Sequence, residues 1–136
     1  MPHLILEGPT DFSSAVTGIH TEARRWGRAV LKTEGWWSRS DAGALLFEGV
    51  IVEFSRALHP LALVAPHHGD TSVRLWPYID IERTHAVQRW LALIAADLQN
   101  GGAGVLKKTN IPDEILHGLE FKKGHVLSSG VRRPYA

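Results

Sequence analysis

The chain opens Met1-Pro2-His3-Leu4-Ile5-Leu6-Glu7, a short apolar run closed by Gly8-Pro9, and this pattern predicts a strand over residues 2–7. Asp11 stands where a helix N-cap would. From there Phe12, Val16, Ile19, Ala23, Trp26 and Val30 recur at spacings of four and three, which predicts one amphipathic helix running to about Lys32. Its polar face would carry His20, Glu22, Arg24, Arg25, Arg28 and Lys32. Gly18 and Gly27 each weaken such a helix by roughly 1 kcal/mol relative to alanine, so they read as points of close packing on a sheet. Gly35 is the expected stop.

The middle of the chain is rich in strand formers. Residues 44–54 and Leu61–Ala65 predict two strands, His67-His68-Gly69-Asp70 a polar turn, and Ser72–Ile79 a third strand in which Val73 and Leu75 alternate with Arg74 and Trp76. Pro77 suits the end or edge of that strand. A second helix is predicted from about Ile81 to Gln99, with Val87, Trp90, Leu91, Ile94 and Leu98 on one face and Asn100-Gly101-Gly102 as its stop. A short strand at 104–107 and one helical turn opened by Asn110 and Pro112 follow. The order strand, helix, strands, helix, strand predicts an α+β fold, a β-α-β repeat or ferredoxin-like mixed sheet with two helices on one face. One domain is expected over residues 1–121, with 122–136 as a C-terminal arm or disordered tail containing Lys122, Lys123, Arg132 and Arg133.

Composition narrows the function classes. The 136 residues are enough for one core, and 44% hydrophobic with 21% charged residues is ordinary for a globular domain. A formal charge of +1 lacks the basic excess of a nucleic-acid binder, and the absence of cysteine removes disulfides, thiolate zinc sites and cysteine nucleophiles. No stretch approaches the roughly 20 apolar residues of a membrane span, so a cytoplasmic protein without membrane contact is expected.

Three constellations could carry chemistry. Removal of Met1 would leave Pro2 with a free secondary amine, a base whose ordinary pKa of about 7.7–8.0 is lowered further by burial or nearby arginines. A base near neutrality suits proton abstraction beside a carbonyl. His67-His68-Gly69-Asp70 resembles a metal-binding loop but lacks the further ligands such a site needs, so a hairpin turn is the simpler reading, and no metal is expected. Among the five tryptophans, Trp26 and Trp90 fall on apolar stripes and read as core, whereas Trp36-Trp37 reads as a cap on the core, a pocket wall or part of a subunit interface, with pocket or interface ahead of the cap. The Arg24-Arg25-Arg28-Lys32 cluster reads as a solvated helix face.

The opening seven residues are similar to the N-terminal strand of the tautomerase superfamily, and within it to the 5-carboxymethyl-2-hydroxymuconate isomerase group. Residues 70–98 resemble that group's second strand-and-helix unit, and Leu119-Glu120-Phe121-Lys122-Lys123 resembles a Leu-x-aromatic-Lys element near its C-terminus. The resemblance implies a cofactor-free homotrimer that shifts a proton in a small enol or 2-oxo acid, with Pro2 as general base and arginines holding the substrate. The segment Ala42-Gly43-Ala44-Leu45-Leu46-Phe47-Glu48 lacks the arginine the family places there. Arg39, Arg56 and Arg74 are substitutes by charge alone, and Arg83 fits a family position at the start of the second helix. Pro2, Arg83 and Arg39 are therefore the expected site. The alternative from a different class is a non-enzymatic ferredoxin-like binding or assembly module, using Trp36-Trp37 and the basic tail as contact surfaces. A metal-dependent hydrolase built on His67, His68 and Asp70 is a third.

Overall fold

The computed structural model describes residues 1–122. Eight strands form a single sheet: β1 (His3–Leu6), β2 (Arg24–Trp26), β3 (Ala29–Ser38), β4 (Leu45–Glu53), β5 (Arg56–Leu58), β6 (Leu61–His67), β7 (Asp70–Leu75) and β8 (Leu106–Thr109). The helices are α1 (Phe12–Ala15), extended by a 3-10 turn at Val16–Gly18, then α2 (His85–Asn100) and α3 (Asp113–Leu116). The sheet order is β2-β3-β4-β6-β7-β1-β8, with β5 paired to part of β4.

The chain is therefore mixed α+β, with every strand pairing antiparallel. Because β7 and β8 both run antiparallel to β1, they are parallel to each other, and α2 connects them across the intervening strand. This is one split strand-helix-strand unit. A second such unit would need the helix expected from Asp11 to Lys32, and that helix is not formed. Asp11 does cap a helix, its side chain accepting from Ser13 N–H at 3.1 Å and Ser14 N–H at 3.4 Å, but the α-helix ends at Ala15. At Gly18 the backbone passes the end of α2 so closely that a Cβ would lie 2.2 Å from the Asp97 carbonyl oxygen. Gly27, at φ +57°, then turns β2 into β3. A spacing of three and four concealed a period of two: Ala29, Leu31 and Thr33 are buried in alternation, Ala29 pairing with Trp26 of β2, and Leu31 and Thr33 with Ile51 and Gly49 of β4. The arginines of the expected helix face are accordingly spread over a hairpin.

The strands expected over 44–54 and 61–65 form as β4 and β6, whereas β5 has no counterpart in the expected elements and the strand expected at 104–107 forms at Leu106–Thr109 as β8. β4 alternates buried and half-buried residues because one face meets α2 and the other does not. The expected turn at 67–70 closes β6 onto β7, with His68 at φ +48° and Gly69 at φ +82°. Two successive positive φ angles are the signature of the type I′ turn, whose twist matches that of the strands. The strand expected to reach Ile79 stops at Leu75, ahead of Pro77, which has no N–H for the ladder.

Helix α2 starts at His85 because Thr84 is its N-cap, accepting from Val87 N–H at 3.1 Å. From Ala86 to Gln99 it is buried almost all round: the sheet wraps one side, and α1, its 3-10 extension and α3 cover others. Trp90, 1% exposed, fills the centre of the core, and its indole N–H donates to Thr33 Oγ1 at 3.1 Å. Gly49 on β4 makes room for it, since a Cβ there would lie 2.5 Å from the indole. Leu119 and Phe121 pack on the same core, and Lys122 N–H donates to Gln99 Oε1 at 2.8 Å. The arm expected over 122–136 lies, beyond Lys122, outside the described residues.

Candidate functional site: a cationic hollow and an apolar trough on the uncovered face

Alternation along a strand sends successive side chains to opposite faces. In β1, Leu4 and Leu6 point to α2 and are fully buried, and buried Pro2 shares their parity. His3 and Ile5 point to the other face, which no described helix covers. There the register sets His3 opposite Arg74 of β7, and Ile5 opposite both Ser72 of β7 and Lys108 of β8. Together with Met1 and with His67 from β6, these side chains line a hollow of about 310 Å³. Four adjacent strands thus each contribute a cationic or imidazole group to one concavity.

The electrostatics of the hollow are one-sided. No carboxylate is among its lining residues. Among the described residues neither Arg74 nor Lys108 enters an ion pair, whereas the neighbouring Lys107 is taken up by Asp70 at 2.9 Å. Asp70 also accepts from Gly8 N–H at 2.9 Å. That N–H first, and Lys107 second, hold the Asp70 carboxyl below its ordinary pKa, and Asp70 in turn holds the Lys107 ammonium above its own. The acidic end of the His67–Asp70 turn is therefore committed to structure. The two adjacent imidazoles of the turn, His67 and His68, meet edge to face with centroids 4.3 Å apart. Among the described residues no group of three or more His, Asp or Glu side chains is placed to hold a metal ion.

The N-terminus is anchored at the rim. The Met1 carbonyl accepts from Asn110 Nδ2 at 2.8 Å and lies 3.1 Å from His3 Nδ1, and His3 N–H donates to Asn110 Oδ1 at 2.9 Å. Pro2 is next to the hollow but does not line it.

The other expected residues are elsewhere. Arg39 follows β3, exposed, and pairs with Asp41 at 3.1 Å. Arg83 is exposed in the loop before α2, where its carbonyl accepts from Gln88 Nε2 at 3.2 Å. Neither is brought to Pro2. The arginine that does come to the N-terminal strand is Arg74, one of the substitutes available by charge. His3 and Lys108 were not singled out from the sequence. His3 could have been found from the alternation of β1, but nothing local marks Lys108, which reaches the hollow only because β8 pairs with β1 from the far end of the chain.

A second concavity adjoins the first on the same face. Trp37, Leu46, Leu63 and Trp76 line an apolar trough of about 250 Å³, with Arg39 at its border. Trp37 is 67% exposed, and its indole N–H donates to Glu48 Oε2 at 2.7 Å. Its neighbour Trp36 faces the opposite way, tilted against buried Phe47 with ring centroids 5.8 Å apart. The expectation of a pocket role for Trp36-Trp37 thus divides between a core rim and a surface trough. Trp26, on a strand instead of a helix, packs against the core beneath the Arg89 guanidinium, 5.4 Å from its ring centroid. Burial, and secondly the nearby Arg24 charge, lower the Arg89 pKa.

Compared with known proteins, the chain matches no family model, no curated protein and no solved structure. No helix among the described residues is long and apolar enough to cross a membrane.

Proposed function

We propose that this protein is a binding domain for a small organic anion, held in the hollow beside the N-terminal strand. The observation that carries the reading is the convergence of His3, Arg74 and Lys108 on one concavity whose lining contains no carboxylate. A carboxylate or phosphate placed there accepts charge-assisted hydrogen bonds from arginine and lysine, about twice as strong as neutral ones. Ile5 and Met1 supply apolar walls for the body of the ligand, and the Ser72 hydroxyl, whose proton goes to the Ala65 carbonyl at 3.3 Å, supplies a neutral acceptor. Strands position all of these groups except Met1, which precedes β1, so little is lost in ordering them.

Calorimetric titration with phenylpyruvate tests this. Wild type should bind, more weakly as salt rises, and the double variant Arg74→Ala/Lys108→Ala should lose at least about tenfold in affinity, the equivalent of one charged hydrogen bond. Equal binding by the double variant overturns the assignment.

A second reading, the proton-shifting isomerase implied by the tautomerase resemblance, is favoured by one observation: Met1 is itself a lining residue. Its removal would leave the Pro2 amine bordering the hollow, with Arg74 and Lys108 to hold a substrate carboxylate and stabilise the enolate that develops. The family plan of β-α-β repeats in a trimer belongs to this reading. Intact mass decides whether Met1 is lost; a retained methionine blocks the amine and leaves only binding. If it is lost, phenylpyruvate tautomerisation should fall by two orders of magnitude or more in Pro2→Ala, the usual scale for a general base. Unchanged turnover removes Pro2 from the chemistry.

A further inference from the structure

The cationic hollow and the apolar trough are parts of one cross-strand row. The register runs Trp37 on β3, Leu46 on β4, Leu63 on β6, Arg74 on β7 and His3 on β1, each directly opposite the next. Each side chain of this row lines one or other of the two concavities, and the border falls between Leu63 and Arg74. One face thus carries a cationic end and an apolar end in line.

We infer that the anion held at Arg74 is the head of an amphipathic molecule, a long-chain carboxylate, whose apolar chain crosses Leu63 and Leu46 to end against Trp37. This rests on the anion-binding reading above and adds the ligand class. Length fits: three strand spacings separate Arg74 from Trp37, about 14 Å, the span of an extended chain of about a dozen carbons. Charge fits as well, and sets the direction. Arg74, Lys108 and His3 stand at one end, whereas at the other Glu48 accepts from the Trp37 indole and Arg39 is neutralised by Asp41. A carboxylate is drawn to the first end and repelled from the second. Trp37 is left largely in water, so a chain lying against it removes apolar surface from both partners.

The test is a chain-length series on the full protein: hexanoate, octanoate, decanoate and dodecanoate, each below its micelle-forming concentration, with dodecanol as the uncharged control. A methylene taken fully out of water is worth about fourfold in affinity, so half-burial on an open face gives about twofold per methylene and tens of fold from hexanoate to dodecanoate. Trp37→Ala should remove the gain from decanoate to dodecanoate, the members long enough to reach it, while leaving hexanoate binding intact. Arg74→Ala should weaken every member alike, and dodecanol should bind poorly. Arg74-dependent binding without any gain in chain length overturns the amphiphile and leaves the small-anion site standing. Absence of carboxylate binding at any length overturns both. Self-association through the trough that dodecanoate cannot compete away, or binding only to anionic phospholipid vesicles, likewise overturns the inference, since a second copy or a membrane surface would then be the occupant.

Discussion

The two faces of the sheet are made by the same strands and differ in almost every physical respect. Toward α2, Leu4, Leu6, Phe47, Val64 and Val73 are excluded from water, and Trp90 presses onto a glycine. Such a surface is filled, and its interactions are used up in holding the fold. Away from α2, the residues that alternate with them are Trp37, Leu46, Leu63, Arg74 and His3, partly or largely exposed, in two concavities with unpaired cations at one end. Because a strand's period is two, one run of chain writes both surfaces at once. Stability and recognition can therefore be altered separately here, residue by residue.

The largest expected effect attacks the filled face. Trp90→Ala should cost about 3–5 kcal/mol, since an indole-sized cavity forms and the Thr33 hydroxyl loses its donor. Urea unfolding followed by circular dichroism measures it, and a loss below about 1 kcal/mol would mean that α2 does not seal this core. An intermediate effect is expected at the Gly8–Asp70–Lys107 link, which ties the β6–β7 turn to the N-terminal strand and to β8. Asp70 has a lowered pKa in the fold, so its stabilisation is complete above the unfolded value near 3.9 and is lost as pH falls through the lower folded value. The Tm gap between wild type and Asp70→Asn should thus be widest at neutral pH and close below about pH 3.9. A gap that stays constant through this range would remove the charge from the account.

Substitutions on the uncovered face should barely move stability. Trp37→Ala and Arg74→Ala, both on the uncovered face, should each change unfolding free energy by no more than about 0.5 kcal/mol while altering binding. If either unfolds the protein as Trp90→Ala does, the two faces are not independent.

Much of the filled face was legible in the sequence. Residues 44–54, 61–65 and 67–70 are a strand, a strand and a turn, and Val87, Trp90, Leu91, Ile94 and Leu98 are core residues of a helix, because each signal is local and repeated. The segment 12–32 misled for a definite reason. Its apolar spacing fits a helix, but Gly18, Gly27 and the pairing of Ala29–Ser38 with β4 outweigh local periodicity, and a hairpin forms. The candidate site was legible only in fragments. Pro2 adjoins the strand that borders the hollow and Arg74 lines it, whereas Arg39 lies at the border of the trough, paired with Asp41, and Arg83 is on another part of the surface.

The mixed α+β class, the central helix, the strand alternation over 44–54 and 61–65 and the absence of cysteine can all be read from the chain alone. These follow from local periodicity and composition, which no partner can change. Which charged residues meet depends instead on long-range strand pairing. His3, Arg74 and Lys108 come from positions at the start, middle and end of the described chain, and they converge because β1 lies between β7 and β8. Strand order is set by the burial of whole faces against α2, a sum over many residues that no short window of sequence contains.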